Sequence, residues 1–357
     1  MNEQNSWLKW RQCHLPIISD FRLALMPGCQ SSCPSRAAAY RRQIRQQDTM
    51  DGLKEFGRDV PSARDPTYHI YGQLLRQQDN ARAIHSTTRQ EHTYGSHPRQ
   101  KLDHYSPKQT EDANKTEEAL MFVYGGGWVS GDKILEEIPD EVAYANVGHF
   151  FADKIGIDTI VIDYRLVCHG AKHPSGAQDI DLALMWIERK FPNCRSLYLL
   201  GNSAGGVHVA SWLFGAHCPE TRNRLVEGRS KSDQLGLEAV GLLGTPLQLS
   251  PEGAMRPLLE AYYGDLDLVR AEQPQKLMLD ATQGLSSEEV ASWPRLAVLV
   301  SELDPEEDMR NAGRKFFELW QCRGGTGEFV DIPGHNHFSP VLSIGTAVER
   351  EEAWGLA

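Results

Sequence analysis

The stretch Gly201-Asn202-Ser203-Ala204-Gly205 decides which fold we expect of this chain. It directly follows an apolar run, residues 197–200, and leads into a helix-like segment, residues 206–214. Small residues on both sides of Ser203 allow the sharp strand-to-helix turn of a nucleophile elbow. Such a turn exposes the serine hydroxyl at the edge of a sheet, beside the free N–H groups of a helix N-terminus. Because this motif is common by chance, its interpretation depends on two further segments.

A glycine triplet precedes the elbow in the chain. It lies in Tyr124-Gly125-Gly126-Gly127-Trp128, at the end of the apolar run 119–123. Successive glycines leave backbone N–H groups unobstructed, so that a developing oxyanion can approach them closely. A glycine triplet by itself favours a flexible loop. Its position upstream of an elbow serine favours an esterase-type glycine loop instead.

An acid and a base follow the elbow. The apolar segment 296–300 predicts a buried strand, and Ser301-Glu302-Leu303-Asp304-Pro305 leaves its carboxyl end. Residues 327–332 predict a further strand, followed by Gly334-His335-Asn336-His337-Phe338-Ser339. Each candidate therefore lies just past the carboxyl end of a strand, where open α/β sheets place their sites.

The chain resembles the hormone-sensitive-lipase-like branch of the α/β-hydrolases, close to kynurenine formamidases and carbohydrate esterases. The order serine, aspartate, histidine is that of the α/β-hydrolases, and the resemblance covers roughly residues 99–355. The family usually has a histidine at the position of Tyr124, where it is thought to brace the glycine loop. The matching segments are residues 124–133, Asp163-Tyr164-Arg165-Leu166, His173-Pro174 with Gln178-Asp179, the elbow, and Asp304-Pro305.

The resemblance implies a role for each candidate residue. Ser203 would be the nucleophile and His337 its base, with His335 as the rival base, and Asp304 would orient the imidazole. The backbone N–H groups of Gly126, Gly127 and Ala204 would form the oxyanion hole. Tyr124, Trp128 and Tyr164 are candidates for lining the substrate pocket, with ordinary core packing as the alternative for the last two.

Composition narrows the classes of partner and compartment. The 357 residues carry a formal net charge of −11, which argues against nucleic-acid binding. No apolar run approaches the ~20 residues of a membrane span, and residues 1–30 lack the apolar core of a secretory signal. The seven scattered cysteines predict free thiols in a reducing compartment, so we expect a cytoplasmic protein.

No cofactor or metal is expected from the sequence. His169 and His173 lack a third ligand at suitable spacing. Cys13, His14, Cys29 and Cys33 form only a weak zinc-like pattern.

The chain changes character near residue 95. Residues 1–95 are polar, basic at the start, and read as an N-terminal extension that is partly disordered or contributes to a cap, with 66–83 as the candidate piece. Residues 96–357 alternate strand and helix patterns, which predicts the α/β-hydrolase fold, with a mostly parallel central sheet and helices on both faces. The alternation lapses over 245–293, which we call the cap segment because a small helical cap is expected there.

Three function classes follow from these patterns. The first is a serine hydrolase that cleaves a carboxylic ester of a small to medium substrate through an acyl-enzyme. The second keeps the site but acts as an aryl formamidase, or as a thioesterase or acyltransferase that releases an acyl chain from a carrier protein. The third is a catalytically inactive hydrolase fold that binds a ligand. The sequence sets no oligomeric state.

Overall fold

A single eight-stranded sheet organises the chain. This computed structural model describes residues 49–108, 117–253 and 255–356. Its strands, numbered in chain order, are β1 Thr88–Thr93, β2 Lys101–Ser106, β3 Glu118–Val123, β4 Asp158–Ile162, β5 Ser196–Asn202, β6 Gly236–Leu243, β7 Arg295–Ser301 and β8 Gly327–Ile332. Across the sheet they lie in the order β1-β2-β4-β3-β5-β6-β7-β8. β1 pairs antiparallel with β2, β2 pairs antiparallel with β4, and all remaining neighbours are parallel.

Apolar composition explains why the central strands sit inside. The interior strands β3 and β4 are buried along almost their whole length, as parallel strands covered by helices on both faces must be. β1 has the sequence Thr-Arg-Gln-Glu-His-Thr and is largely exposed at the edge of the sheet. Charged residues on an edge strand oppose pairing with another chain.

Helices cover the sheet, and this arrangement confirms the expected α/β-hydrolase fold. Short 3-10 segments lie at Lys54–Phe56, Val167–His169 and Ala353–Leu356, and π-helical segments at Phe150–Ile155 and Glu306–Asn311. The α-helices of the described residues are Thr49–Leu53, Val60–Leu75, Gln78–His85, Ala145–His149, Ser175–Lys190, Ala204–Phe214, Pro219–Gly228, Arg256–Tyr263, Leu266–Glu272, Pro274–Ala281, Ser287–Ala291, Ala312–Cys322, Ser339–Ser343 and Glu349–Glu352.

Several boundaries differ from those that the pattern predicts. The spacing of apolar residues over 141–154 predicts a helix, but the α-helix begins at Ala145 and continues from Phe150 as a π-helical segment. Among its described residues, the cap segment, residues 245–293, holds four helices, whereas the sequence pattern predicts two, over 255–263 and 286–292. Two of these, Leu266–Glu272 and Pro274–Ala281, are short amphipathic helices whose ends are set by Asp265 and Pro274.

Residues before the sheet form helices that belong to the body of the molecule. Val60–Leu75 begins at the N-cap Asp59, whose side chain accepts a hydrogen bond from the Ser62 N–H, and it buries Ile70, Tyr71 and Leu74 in the main core. Within the described ranges, no helix combines the length and apolar composition of a bilayer crossing. The basic start of the chain and the cluster of Cys13, His14, Cys29 and Cys33 lie outside the described residues.

Candidate active site

Ser203 occupies a strained turn between β5 and the helix Ala204–Phe214, which we call the elbow helix. Its backbone has φ 52° and ψ −122°, a region that residues with a side chain rarely adopt. Close packing around the turn explains the small neighbours. A Cβ on Gly201 would lie 2.6 Å from the Gly206 Cα, and one on Gly205 would lie 2.2 Å from the Val123 carbonyl oxygen. Glycine is therefore required at positions 201 and 205, because a larger side chain would clash with the neighbouring backbone.

Three of the predicted site residues meet at the carboxyl ends of the strands. The Ser203 Oγ lies 3.0 Å from the His337 Nε2, and the His337 Nδ1 lies 2.9 Å from the Asp304 Oδ1. The other carboxylate oxygen of Asp304 accepts a hydrogen bond of 2.7 Å from the Ser301 backbone N–H. Asp304 is fully buried and His337 is 6 % exposed. When Nδ1–H donates to the carboxylate, Nε2 is free to accept the serine proton.

The rival base His335 lies elsewhere. Its Nδ1 is 2.9 Å from the Ser339 Oγ, and its side chain is buried. Burial lowers the pKa of the His335 imidazole to about 4, against the opposing effect of the hydrogen bond to the Glu351 backbone. A neutral, enclosed imidazole of this kind supports the loop that carries His337.

The glycine loop lies directly against the serine. A Cβ on Gly125 would approach the Ser203 Cβ to 2.8 Å. Gly126 and Gly127 have φ values of 126° and 61°, and the Gly126 carbonyl accepts hydrogen bonds from the Ser130 N–H at 3.1 Å and the Ser130 hydroxyl at 3.0 Å. The loop is thus a fixed turn, with its glycines beside the first turn of the elbow helix, where N–H groups have no intrahelical acceptor.

The Tyr124 side chain forms hydrogen bonds that support the glycine loop. Its hydroxyl donates to the Asp163 carboxylate and accepts a hydrogen bond of 2.7 Å from the Arg99 guanidinium. The same guanidinium donates to the Gly131 carbonyl at 2.8 Å and pairs with Asp163. Burial raises the pKa of the Asp163 carboxyl, and the Arg99 charge opposes that rise. Arg99 was not singled out in the sequence, because its partners lie far from it in the chain.

The three aromatic residues expected to line the pocket are all buried. Tyr124 and Tyr164 stack on each other with ring centroids 4.6 Å apart, and Trp128 stacks on Tyr262 of the cap segment at 5.4 Å. The Tyr164 hydroxyl donates to the Tyr124 carbonyl at 2.9 Å, which ties β4 to the glycine loop.

A small cavity is lined by Asn202 and Phe338, the chain neighbours of Ser203 and His337, but by neither of those two residues. Its volume is about 10 Å³, which is roughly the space of one water. The lining residues are Tyr68, Leu135, Tyr144, Asn202, Phe338, Val341 and Leu342. A surface cleft of about 320 Å³ also borders Tyr68.

The segment 54–68 contacts both the acid and the base loops. The Arg58 guanidinium donates to the Asp304 carbonyl at 2.9 Å. The Asn336 side-chain amide donates to the Thr67 hydroxyl at 2.8 Å, and the Tyr68 ring packs edge-on against Phe338 at 5.3 Å. These residues were missed from the sequence, because a polar segment far from the motifs carries no signal of where it docks.

Gly244 is a further residue that the motifs did not indicate. It directly follows β6 with φ 53°, and a Cβ there would lie 3.1 Å from the His337 Nδ1 and 3.7 Å from the Asp304 Oδ2. The histidine and aspartate therefore pack against bare backbone. A glycine directly after a predicted strand is the signal that indicates such a close approach.

The sequence model of the BD-FAE family matches residues 102–238, which include Ser203 and the glycine loop but neither Asp304 nor His337. No curated protein matches the chain.

Solved structures of similar fold include several hydrolases. A thermostable esterase from Pseudomonas putida is 18% identical, with a TM-score of 0.56 over 87% of this chain and 93% of that one. A fungal esterase from Rhizomucor miehei is 16% identical, with a TM-score of 0.58 over 85% and 92%. A putative thioesterase from Silicibacter sp. is 18% identical, with a TM-score of 0.53 over 81% and 90%. The chain therefore has the α/β-hydrolase fold, as its resemblance to that superfamily implied, and its central segment matches the BD-FAE family.

Proposed function

We propose that this protein is a serine hydrolase that cleaves carboxylic esters of small molecules. The observation that carries the proposal is the continuous chain of contacts from the Ser203 Oγ through the His337 imidazole to the buried Asp304 carboxylate, at 3.0 and 2.9 Å. A serine hydroxyl is a weak nucleophile unless a base lies within hydrogen-bond reach. The esterases of similar fold support the same reading.

In the proposed mechanism, His337 removes the Ser203 proton as the hydroxyl attacks the ester carbonyl. Asp304 stabilises the imidazolium that forms. The N–H groups of Gly126, Gly127 and Ala204 stabilise the oxyanion, and loss of one such donor typically costs ~3 kcal/mol. His337 then protonates the leaving alcohol. Attack by water on the acyl-enzyme regenerates the serine.

We further propose that acetyl esters are preferred over longer acyl chains. The observation that motivates this is the small cavity, about 10 Å³, lined by Asn202 and Phe338, the chain neighbours of Ser203 and His337. The cap segment, residues 245–293, and the N-terminal helices are proposed to cover the site, because Trp128 stacks on Tyr262 and Tyr68 packs on Phe338.

The cysteines support the proposed cytoplasmic location. Among the described residues, Cys194, Cys218 and Cys322 are free thiols. Free thiols suit a reducing compartment.

The proposal is tested by labelling and by turnover. Intact-mass spectrometry after treatment with an organophosphonate should show one adduct on the wild type and on Ser211→Ala, a buried serine of the elbow helix, but none on Ser203→Ala. Hydrolysis of p-nitrophenyl acetate should fall by roughly 10³-fold or more in Ser203→Ala and His337→Ala. An adduct that survives in Ser203→Ala would refute the assignment.

A substrate panel separates the remaining functions. Faster turnover of p-nitrophenyl acetate than of the octanoate, N-formylkynurenine or an acyl thioester supports the short-chain esterase. Preference for the formamide or the thioester would favour the second class instead. Tight ligand binding without turnover would favour a binding protein.

A further inference from the structure

Three side chains outside the triad converge at the seam between the cap segment and the body. His173 precedes the helix Ser175–Lys190, His217 follows the elbow helix, and Glu272 ends the cap helix Leu266–Glu272. One ligand atom from each lies within 4.8 Å of the other two. We propose that His173, His217 and Glu272 form a binding site for a divalent transition-metal ion, of which Zn²⁺ is the best fit, and that the ion fastens the cap segment to the body.

The spacing of the donor atoms fits the coordination sphere of zinc. The Glu272 Oε2 lies 3.3 Å from the His173 Nε2 and 3.1 Å from the His217 Nε2. Zn–N and Zn–O bonds of ~2.0–2.1 Å in a tetrahedron separate neighbouring ligand atoms by about 3.3 Å. Two of the three separations therefore have the right value already, and the third needs a small rotation of the His217 ring.

The donor set selects the class of ion. Two imidazoles and one carboxylate suit zinc and similar transition metals, whereas calcium and magnesium prefer oxygen ligands throughout. His217 and Glu272 reach solvent, with about a quarter of each side chain exposed, so that a water can complete the coordination.

His173 is built into this position. Its side chain is only 2 % exposed, its ring stacks on Tyr263 at 4.7 Å, and its backbone N–H donates to the Tyr262 carbonyl at 2.9 Å. Its Nε2, which lies 3.3 Å from the Glu272 Oε2, is the atom that would bind the ion, and its Nδ1 is buried without a hydrogen-bond partner among the described residues. Tyr262 in turn stacks on Trp128, the residue that follows the glycine triplet. The His173 ring packs edge-on against Tyr262 at 6.0 Å, so the cluster adjoins the ring on which Trp128 stacks.

The sequence pattern did not indicate the cluster of His173, His217 and Glu272, because its members lie far apart in the chain. His169 and His173 lack a third ligand nearby in the chain, and the structure supplies His217 and Glu272 from elements 44 and 99 residues away. Of the two histidines, only His173 joins the cluster.

The test measures metal binding by the full-length protein directly. Equilibrium dialysis with Zn²⁺ should give one bound equivalent in the wild type, and the affinity should fall by about 10- to 100-fold in His217→Ala and in Glu272→Gln. His85→Ala, an exposed histidine, and Cys29→Ser/Cys33→Ser should bind as the wild type does. Ser203→Ala should also bind normally, so the result is independent of the proposed hydrolysis.

Cobalt substitution identifies the ligands. Co²⁺ bound at His173, His217 and Glu272 should show visible ligand-field bands without the near-ultraviolet thiolate charge-transfer band. Circular dichroism should confirm that His217→Ala and Glu272→Gln remain folded, and Zn²⁺ should raise the melting temperature of the wild type but not of these variants. Absence of stoichiometric binding, unchanged affinity in both variants, or a thiolate band that disappears in Cys29→Ser/Cys33→Ser would each overturn the proposal.

Discussion

The His337 imidazole packs against a glycine as well as hydrogen-bonding to Ser203 and Asp304. Gly244 presents bare backbone to the imidazole, and a Cβ there would lie 3.1 Å from the Nδ1. Substitution at such a glycine has two separable effects, the strain of a positive φ and the displacement of the ring.

Gly244→Ala should lower kcat on p-nitrophenyl acetate by on the order of 10²-fold, because a displacement of the base of about 1 Å is sufficient for that loss. Gly156→Ala is the matched control, since Gly156 also has a positive φ, 93°, but no atom within 4 Å of the added Cβ. Both variants should lose stability, and only Gly244→Ala should lose activity. Equal kcat in the two variants would contradict a role for Gly244 in positioning His337.

Tyr124 stabilises a buried charge pair at the base of the glycine loop. Tyr124→Phe removes the hydroxyl that contacts Asp163 and Arg99, and should lower the free energy of unfolding by about 1–3 kcal/mol. Urea denaturation measures this loss. Tyr198→Phe is the control, because the exposed Tyr198 hydroxyl bonds the surface carboxylate of Glu118, and its removal should change stability by less than about 0.5 kcal/mol. A loss no larger than that of the control would mean that the hydroxyl is dispensable.

Among the elements, the helix Val60–Leu75 acts on the site without contributing to the predicted triad. Its Thr67 hydroxyl accepts a hydrogen bond from the Asn336 side-chain amide. The side-chain oxygen of Asn336 in turn accepts hydrogen bonds from the backbone N–H groups of Phe338 and Ser339, both at 3.1 Å. The helix thereby fixes the turn in which His337 lies.

Thr67→Val keeps the shape of the side chain and removes the hydroxyl. We expect kcat to fall with KM little changed, and the free energy of unfolding to fall by about 1–3 kcal/mol, because the buried Asn336 amide loses its acceptor. Arg64→Ala, an exposed position on the same helix, should leave both unchanged. Steady-state kinetics and urea denaturation on the two variants decide whether the helix positions the base.

At the scale of the whole molecule, a buried neutral histidine makes stability depend on pH. The pKa of His335 is lowered to about 4 from an ordinary value of 6.5, by burial first and by Arg350 to a lesser extent, while the Glu351 backbone opposes the shift. Below pH 6.5 the unfolded chain binds a proton that the folded chain refuses, so stability falls as pH falls toward 4.

The wild type should therefore lose about 2 kcal/mol more free energy of unfolding between pH 6.5 and 4.5 than His335→Gln does. His85→Gln, which changes an exposed histidine, should follow the wild-type curve. Urea denaturation at several pH values gives the comparison. Parallel curves for the wild type and His335→Gln would contradict a depressed pKa at His335.

Much of the fold was predictable because local patterns determine it. The apolar runs of β3, β5 and β7, the small residues around Ser203, and the glycine triplet each impose their structure over a few residues. β1 was not predicted, because an edge strand needs no apolar face. The helices Leu266–Glu272 and Pro274–Ala281 were not predicted, because the patterns of such short helices differ little from those of loops.

Part of the candidate site was likewise predictable from the sequence, and part was not. The elbow, Asp304 and the pair of histidines were indicated by motif and order, whereas choosing between His335 and His337 required knowing which ring faces Ser203. Arg58, Thr67 and Arg99 act through contacts that join distant segments, and so does the cluster of His173, His217 and Glu272. Such contacts leave no periodicity or spacing to read.

The docking of Arg58 and Thr67 has a consequence for biosynthesis. Arg58 contacts Asp304, 246 residues later in the chain, and Thr67 contacts Asn336, 269 residues later. On the ribosome the helix Val60–Leu75 is made before β1, whereas Asp304 and Asn336 are made after β7 and β8, respectively. A nascent chain can assemble β1 to β6 before those sites exist. The contacts of Asp304 and Asn336 with this helix therefore form only after β7 and β8 have been synthesised, and shorter partial chains carry Ser203 without Asp304 or His337.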